Sequence, residues 1–477
     1  MSNRPTEDFD YQMASSNAAH TSVFPNANRV RIEGNFTANI NTPSKSSLKV
    51  LYQRVAPNAI LNKGGRGEDA RCHPGTRKEV IGLMERWMDG AGNDRIFWMS
   101  GPAGGGKTAI MKTVTERAAS RGVPTANFFF FRGDSSRNSA HPVVATILYQ
   151  LFQFYPSCLD IAAKAFAERP RILDESMEEQ CKLISTLFPI IRQSSPAGAP
   201  TFLLIDGLDE CDVEADRSQR DILCTFEHLV MKDDSPFRLL IASRREPRIQ
   251  MTFNQLQSTA CSIFLGEEYS PQNDIRIFVQ TEFDNLRASH PSKGSLPSAW
   301  PSSSDVDAII AKSSGQFIYA ATVMRYISHP SIVPTLGLER VMGFVPVVNN
   351  SPFANLDNIY TFILDRVSDA DAMRDILSMK MVWGSRVSDM QLLSWYNSRY
   401  NNALVESCVS ELSAIVKLDE RGYVRFYHAS LDDFLRDQAR SGPYWIDVDA
   451  FFAKVLVVLS RKCILDNSSS TNFQEDV

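Results

Sequence analysis

The sequence lacks the features that indicate a membrane-spanning segment, a structural zinc site or the disulfide scaffold of a secreted protein. None of its 8 cysteines forms a Cys-x-x-Cys pair, which argues against structural zinc and against a disulfide scaffold. It has no apolar run long enough to span a bilayer, and residues 1–10 lack the basic-then-apolar order of a secretory signal. We therefore expect a cytoplasmic protein without a membrane segment.

An excess of basic charge is also lacking. The 50 Lys and Arg residues against 55 Asp and Glu residues give a net charge of -5 at pH 7, which provides no general attraction to nucleic acid. No repeat with the period of a solenoid or propeller occurs. From this charge we expect no nucleic-acid partner. At 477 residues the chain exceeds the size of one hydrophobic core, so we expect several structural units.

One phosphate-binding motif is complete. It is Gly101-Pro102-Ala103-Gly104-Gly105-Gly106-Lys107-Thr108. The motif follows an apolar run and precedes the helical stretch 109–118, which is the context that a P-loop requires. Its glycines let successive backbone N–H groups point at phosphate oxygens. Lys107 is expected to neutralise the β- and γ-phosphates, and Thr108 to hold Mg²⁺. The alternative is a glycine-rich turn with a solvated lysine.

A second apolar run, Phe202–Ile205, ends in the carboxylates of Asp206, Asp209 and Glu210. As in a Walker B strand, Asp206 is expected to bind Mg²⁺ through water. Asp209 or Glu210 is then placed to orient or deprotonate the attacking water. The alternative is that these carboxylates only provide the acidic start of the next helix.

A third apolar run, Leu239–Ala242, ends in Ser243 and Arg244. Arg presents forked donors that suit phosphate oxygens, and this strand end is where a γ-phosphate sensor lies. We interpret Arg244 as that sensor, although such a residue alone is more often a solvated strand end.

Five apolar runs separated by helical stretches predict a parallel α/β sheet. The runs are Ile96–Met99, Phe128–Phe131, Phe202–Ile205, Leu239–Ala242 and Ile263–Leu265. About a hundred residues and one further run separate the P-loop from Asp206. We therefore expect that their strands are not neighbours, as in the ATPase branch with an intervening strand. The four phenylalanines at 128–131 are interpreted as core and not as a base-stacking platform.

The fold class predicted from these patterns is an α/β P-loop NTPase, a parallel five-stranded sheet with flanking helices, followed by a helical domain and a winged-helix-like α+β domain. The predicted divisions are a mostly disordered segment 1–70, a nucleotide-binding domain 71–266, a small helical domain 267–330, a linker 331–354, a winged-helix unit 355–440 and a C-terminal helical segment 441–477. The winged-helix unit is predicted from helices followed by a hairpin at 414–418 and 423–427.

Two local patterns lie outside the nucleotide motifs. Residues 30–40 alternate between apolar and polar side chains, which predicts a short strand. This strand is either a local hairpin or tail, or a β-forming signalling motif that templates assembly. Residues 76–79, Thr-Arg-Lys-Glu, have the pattern of a capping box and predict the start of a helix.

A further motif downstream makes the combined pattern similar to that of a known family. It is Phe426-Tyr427-His428-Ala429-Ser430-Leu431-Asp432-Asp433-Phe434-Leu435. With the P-loop, the carboxylates and Arg244, it resembles the NACHT class of STAND ATPases, and most of all the fungal members with a nephrocystin-type P-loop region. Residues 72–77 also resemble the segment that precedes the P-loop in that family. The similarity covers roughly residues 70–440.

The resemblance implies a role for one residue outside the nucleotide-binding domain. In the family a winged-helix histidine reaches the β-phosphate of ADP and holds the closed form, and His428 stands at the matching position. The alternative is an ordinary capping or packed histidine. Relatives also place a Gly-x-Pro against the adenine, whereas this chain has Gly315-Gln316-Phe317. No adenine contact is therefore assigned there.

The function implied by the resemblance is a molecular switch that binds ATP or ADP with Mg²⁺. ADP would lock a closed state that opens on exchange to ATP, with slow hydrolysis and oligomerisation in innate-immunity-like or incompatibility-like signalling. Its partners would be further copies or an NLR-like protein. Two alternatives stay open from the residues: a turnover ATPase or nucleic-acid motor, and a non-hydrolysing scaffold that works with a fuller partner.

Overall fold

The computed structural model describes residues 48–61, 71–90, 93–195, 199–211, 218–343, 353–382 and 387–471. The strand predicted within residues 30–40 lies outside these ranges. Among the described residues, no helix combines the length and the apolar character needed to cross a membrane.

Five parallel strands form one sheet. They are β1 Ile96–Ser100, β2 Thr125–Phe129, β3 Thr201–Asp206, β4 Phe237–Ser243 and β5 Ala260–Phe264. Their order in the sheet is β2-β3-β4-β1-β5, so β4 lies between the strand before the P-loop and the strand that ends at Asp206. The predicted five-stranded parallel sheet and its intervening strand are both confirmed.

The register of the strands aligns their carboxyl ends at one edge of the sheet. Ser100 of β1 pairs with Ser243 of β4, and Asp206 of β3 pairs with Ala242 of β4. Chains that leave parallel strands emerge at the same edge, where α/β folds bind their ligands. The P-loop, the carboxylate segment and Arg244 therefore begin side by side.

Helices cover both faces of the sheet. One face carries α2 Lys78–Met88 and α3 Lys107–Ser120. The other carries α1 Lys49–Arg54, α4 Val143–Phe154, α5 Leu159–Glu168, α6 Met177–Thr186, α7 Phe188–Ser194, α8 Ser218–Met231 and α9 Pro247–Gln255. Strand side chains alternate between the two cores: Phe97 and Met99 face α2 and α3, whereas Ile96 and Trp98 face the opposite layer. The sheet and the two layers of helices that cover it are called the sheet domain below.

The four phenylalanines at 128–131 are all buried, as predicted for a core element. Phe128 and Phe130 pack in one layer, and Phe129 packs in the other. The strand is shifted toward the amino terminus relative to the prediction, since β2 ends at Phe129. The last two phenylalanines are therefore buried in the loop that leads away from the sheet.

The capping box predicted at 76–79 is wrong. The residue before α2 is Arg77, which has a left-handed backbone (φ 55°) and makes no side-chain cap. The Thr76 hydroxyl instead donates to the carbonyl of His73 at 2.7 Å, and the Arg77 N–H donates to Asp274 at 3.1 Å. The Thr76 N–H also donates to the carbonyl of His73, so both groups of Thr76 that a capping box needs serve a local turn instead.

The rest of the chain, which we call the helical region (residues 271–471), has its own continuous apolar core from Ile275 to Val455. Its helices are α10 Pro271–Ser289, α11 Ser303–Ser313, α12 Phe317–Ile327, α13 Pro334–Met342, α14 Ala354–Leu364, α15 Ala370–Val382, α16 Asp389–Tyr396, α17 Asn402–Glu411, α18 Ala429–Arg436, α19 Gln438–Ser441 and α20 Val448–Thr471. The strands β6 Val416–Leu418 and β7 Val424–Phe426 form the antiparallel hairpin that the sequence predicts.

Two segments contain more structure than the sequence indicates. Within the predicted linker 331–354, residues 334–342 form α13, in which Leu338 and Val341 are buried. Within the segment 1–70, predicted to be mostly disordered, residues 49–54 form α1 and contact α4 through the buried Leu51. The linker prediction is corrected for residues 334–342, because a few apolar side chains suffice where a neighbouring core is available. The prediction for 1–70 stays a prediction, since most of that segment lies outside the described ranges.

Candidate nucleotide-binding site

One cavity of about 560 Å³ is lined by residues from each of the predicted motifs. These residues are Ala103, Gly104, Gly106, Lys107, Thr108, Asp206, Asp209, Glu210, Arg244 and His428. The other P-loop residues, Gly101, Pro102 and Gly105, supply the backbone that shapes the loop. The fold thus gathers around one space side chains that are hundreds of residues apart in the chain.

The P-loop backbone curls because two of its glycines adopt left-handed conformations. Gly104 has φ 73° and Gly106 has φ 87°. Gly106 is the residue before α3 and provides no side-chain cap, so the first N–H groups of that helix are available to an anion. Lys107 Nζ donates to the carbonyls of Gly101 and Pro102, both at 2.9 Å. This arrangement fits a phosphate group.

The Lys107 ammonium lies in a site of mixed charge. Burial lowers the pKa of Lys107, and the carboxylates of Asp209 and Asp206 oppose this shift. Phosphate oxygens at the same place would add further negative charge, which favours the charged lysine.

Asp206 meets the requirements of a Mg²⁺ ligand. Its carboxylate is buried, and its Oδ1 atom has no hydrogen-bond partner in the part of the chain that the structure describes. Burial raises the pKa of Asp206 to about 6, while a hydrogen bond from Thr108 and the charge of Lys107 act in the opposite direction. Mg²⁺ keeps several waters and is bound by one or two protein oxygens, so Asp206 beside Thr108 fits it. In the described ranges, no three or more His, Cys, Asp or Glu side chains are arranged so that they could hold a metal ion by themselves.

The two candidate bases are both engaged by arginine groups. Asp209 accepts from the backbone N–H of Arg244 at 2.8 Å, and its second oxygen lies 3.0 Å from Arg244 Nε. Glu210 accepts from the backbone N–H of Arg132 at 3.1 Å. The structure therefore brings the candidate base Asp209 and the candidate sensor Arg244 into direct contact.

His428 is the N-cap residue of α18 and also lines the cavity. The backbone N–H of Ser430 donates to His428 Nδ1 at 3.0 Å, and the Ser430 hydroxyl lies 2.8 Å from the Tyr360 hydroxyl. Because Nδ1 is the acceptor of an N–H group, a neutral ring carries its proton on Nε2. The capping alternative thus accounts for Nδ1, and in a neutral ring the N–H group is on Nε2.

The sequence did not assign the cavity residues that come from the start of α12 and from the segment before the P-loop. Phe317 and Ile318, at the start of α12, line the cavity, and the Phe317 ring lies 4.9 Å from the Arg77 guanidinium. Arg77 also donates to the carbonyl of Gly105 at 2.8 Å. The Gly315-Gln316-Phe317 segment was the available signal, since it stands where relatives carry Gly-x-Pro. For Arg77 the signal was its place in the segment that precedes the P-loop.

Lys112 is a further cavity residue that the sequence did not assign. It lies one helical turn after Thr108, and its buried Nζ atom has no hydrogen-bond partner among the described residues. The Nζ atom is 5.5 Å from the centroid of the Phe129 ring. Burial lowers the pKa of Lys112 to about 8, and the charge of Asp206 opposes the shift.

Residues 81–244 match the family described as Nephrocystin 3, N-terminal. The chain is also 23% identical over 389 residues to the vegetative incompatibility protein HET-E-1 of Podospora anserina. That match covers 78% of this chain and 26% of the relative, so the chain spans about a quarter of the relative's length. The resemblance to proteins with a nephrocystin-type P-loop region is confirmed.

Two solved structures are similar to the chain at low sequence identity. The Walker-type ATPase PABY2304 of Pyrococcus abyssi is 10% identical, with a TM-score of 0.38, and the match covers 78% of this chain and 99% of that protein. The ORC2 protein of Aeropyrum pernix, in its ADPNP–ADP complexes, is 11% identical, with a TM-score of 0.36, and the match covers 84% of this chain and 98% of that protein.

We predict that Gly104→Ala weakens both the fold and nucleotide binding. A Cβ atom at Gly104 would lie 2.4 Å from Ile318 Cγ2, and the residue would keep its left-handed backbone. Left-handed strain and overpacking together are expected to lower the free energy of unfolding by roughly 2–5 kcal/mol. Thermal unfolding and equilibrium binding of a fluorescent ADP measure the two effects.

Gly122→Ala is the matched control, because Gly122 has φ 71° and nothing lies within 4 Å of its added Cβ. It is expected to show only the backbone strain, about 1–2 kcal/mol, and unchanged ADP affinity. Equal effects of the two substitutions would contradict the close contact of the P-loop with α12.

We also predict that Asp206→Asn removes the Mg²⁺ dependence of nucleotide binding. In the unmodified protein Mg²⁺ is expected to strengthen ADP binding, and loss of the carboxylate should weaken Mg²⁺ binding roughly 10- to 100-fold. Titration of ADP with Mg²⁺ or with a chelator measures this difference. Asp234→Asn, at an exposed aspartate before β4, is expected to leave it unchanged. An Asp206→Asn protein that still responds fully to Mg²⁺ would exclude Asp206 as a ligand.

Proposed function

We propose that this protein is a STAND-type molecular switch, in which ADP holds the nucleotide-binding domain and the winged-helix unit together and exchange for ATP separates them. One observation carries the proposal: the P-loop and His428 line the same cavity. A ligand bound there touches both units, so its identity can bias their association.

The phosphate end of the nucleotide would lie against the sheet domain. The P-loop N–H groups and Lys107 would bind the β-phosphate, and Thr108 with Asp206 would hold Mg²⁺. The metal ion supplies neutralisation of phosphate charge. The Nε2 donor of His428 would then reach the same phosphates from the other side, as the family resemblance implies.

The base end would lie against the helical region. There the cavity is lined by aromatic and apolar side chains, among them His73, Phe278 and Phe317. The rings of His73 and Phe278 are 5.7 Å apart in an edge-to-face arrangement, and Phe278 lies 6.3 Å from Phe317. Flat apolar surfaces of this kind suit a purine base. This supports a purine nucleotide as the ligand, and the family resemblance makes ATP and ADP the proposed ones.

Slow hydrolysis fits the contacts of the candidate catalytic groups. Asp209 or Glu210 would orient the attacking water, and Arg244 would stabilise charge on the γ-phosphate. In the described arrangement Asp209 is bound by Arg244, and Glu210 is bound by the Arg132 N–H. Hydrolysis would require these contacts to break first, and it would therefore be slow. A slow reaction of this kind would reset the switch and would not drive repeated work.

The proposed setting is cytoplasmic signal transduction by self-association or by pairing with an NLR-like protein. HET-E-1 is named as a vegetative incompatibility protein, and an incompatibility-like or innate-immunity-like response is the corresponding proposal for this chain. No step of the proposal uses nucleic acid.

The test of the proposal is the nucleotide that copurifies with the protein, identified by chromatography after denaturation. ADP is the expected result. Lys107→Ala should lose it, because removal of a charge-assisted hydrogen bond weakens binding by roughly 10- to 100-fold. Lys182→Ala, at an exposed lysine paired with Glu179, should retain it. Protein that binds neither ADP nor ATP would contradict the proposal, and rapid hydrolysis stimulated by DNA or RNA would support a motor instead.

For His428 we predict that replacement by Ala speeds ADP release about tenfold or more and increases self-association. The physical reason is the loss of the Nε2 donor to the phosphates. Dissociation of a fluorescent ADP after mixing with excess unlabelled ADP gives the rate, and light scattering coupled to size exclusion gives the mass.

His428→Asn distinguishes a contact with the phosphates, the clamp, from the capping of α18, since Asn caps helices well but has no imidazole. Both variants should release ADP rapidly if His428 is a clamp. If only His428→Ala does so, the residue acts only as a cap. His228→Ala, at an exposed histidine of α8, is the control for loss of a histidine.

A further inference from the structure

We infer that Asp433 is the residue by which the closed form discriminates ADP from ATP, because it holds the sensor Arg244 away from the γ-phosphate position. The inference rests on the proposed function and names a contact within it that the sequence motifs do not assign. Asp433 is a positioning residue: it acts through Arg244 and does not itself contact the nucleotide.

Asp433 forms a bridge between the helical region and the sheet domain. Its Oδ2 atom accepts from Arg244 Nη2 at 2.7 Å, and its Oδ1 atom lies 3.4 Å from Arg132 Nη1. Arg244 follows β4 and Arg132 follows β2, whereas Asp433 belongs to α18. The Asp433 side chain is 16% exposed, so water screens this contact less than it screens a surface pair.

The contacts of Arg244 occupy the Nε–Nη2 edge of its guanidinium, which is one of the edges that can bind an anion. An arginine holds a phosphate or carboxylate in bidentate fashion through neighbouring N–H groups. Here Nε faces Asp209 at 3.0 Å and Nη2 faces Asp433 at 2.7 Å. Arg244 can offer this pair of donors to a γ-phosphate only if it leaves one carboxylate or both.

The electrostatic environment of Arg244 agrees with a tightly held cation. Burial acts to lower the pKa of Arg244, but the charges of Asp433 and Asp209 outweigh it and raise the pKa above its ordinary value. The triphosphate, with its additional negative charge, is a competing partner for the same cation. The diphosphate, which lacks the γ-phosphate, does not compete in this way.

One short helix carries both His428 and Asp433. His428 is the N-cap of α18, and Asp433 lies on the second turn of that helix. Movement of Arg244 toward a γ-phosphate would leave Asp433 with only its longer contact to Arg132, and α18 would lose an attachment. By thermodynamic linkage, if the Asp433–Arg244 contact lowers the affinity for the triphosphate, then bound triphosphate weakens that contact by the same free energy.

The surroundings allow this ion pair to open. A second cavity, of about 750 Å³, is lined by Arg132, Arg244 and Asp433, together with Arg436 and Arg440. Arg436 pairs with Asp432, and Arg440 pairs with Asp357, so both of these arginines have partners within the helical region. Water can enter this space and solvate a released Asp433, which avoids the cost of an unpaired buried charge.

The experiment compares the affinities of the full chain for Mg²⁺–ADP and for a non-hydrolysable Mg²⁺–ATP analogue by competition with a fluorescent nucleotide. We expect Asp433→Asn to shift the affinity ratio toward the ATP analogue by roughly fivefold or more. Asp432→Asn is the matched control, because the neighbouring Asp432 pairs with Arg436 inside the same helix. It should leave the ratio unchanged.

A double substitution identifies the route of the effect. In an Arg244→Ala background, Asp433→Asn should no longer change the ratio, because the group on which Asp433 acts is gone. Asp433→Glu keeps the charge and should restore a ratio near that of the unmodified protein. Asp433→Ser is a second charge-removing variant, to be used if Asp433→Asn does not fold, as judged by thermal unfolding.

Two outcomes would overturn the inference: an unchanged ratio in the charge-removing variants, or a shift that persists without Arg244. If the unmodified protein binds ADP but the ratio fails to move, the switch stands and the role of Asp433 is wrong. If the unmodified protein binds neither nucleotide, both the switch and the inference fail.

Discussion

The register of β4 is the constraint on which the rest of the site depends. This strand pairs with β1 on one side and with β3 on the other, so its carboxyl end fixes where the P-loop and the carboxylate segment begin relative to Arg244. The Trp98 indole N–H donates to Ser243 at 2.9 Å and ties β1 to β4 beside the point where both strands end. A shift of one residue would turn each strand's side chains to the wrong layer, so the two apolar cores keep the register in place.

Charge links the helical region to this sheet edge. Asp433 contacts Arg132 and Arg244, and the buried Lys380 of α15 donates to the carbonyl of Gly133 at 2.9 Å. These contacts are polar, whereas α10 and α12 of the same region contact the sheet domain through ring and apolar side chains, such as Phe278 beside His73 and Ile318 beside Gly104. We expect the ion pairs and hydrogen bonds to respond to a charged ligand, because phosphate groups compete for the same donors. A continuous apolar core across the same boundary would not respond in this way.

Much of the sheet domain could be predicted because its signals are local. A buried parallel strand needs a run of apolar residues, and a P-loop needs its glycines next to its lysine and a helix start. The order of these elements also predicted that the strand ending at Asp206 is not a neighbour of β1. The capping box at 76–79 failed because the N–H and the hydroxyl of Thr76 both donate to the carbonyl of His73, while Arg77, whose N–H is bound by the distant Asp274, precedes the helix with a left-handed backbone. Likewise, α13 forms where an apparent linker can bury Leu338 and Val341 against a core built by distant helices.

The sequence by itself determined the candidate residues for phosphate binding, since a P-loop, a strand-ending aspartate and a strand-ending arginine are each encoded in a few consecutive residues. Only the tertiary structure decided which groups meet them. It placed His428 and Phe317 on one cavity and Asp433 against Arg244. The physical reason is that a salt bridge or a cavity wall depends on the relative positions of whole elements, and the packing of two separate cores sets those positions.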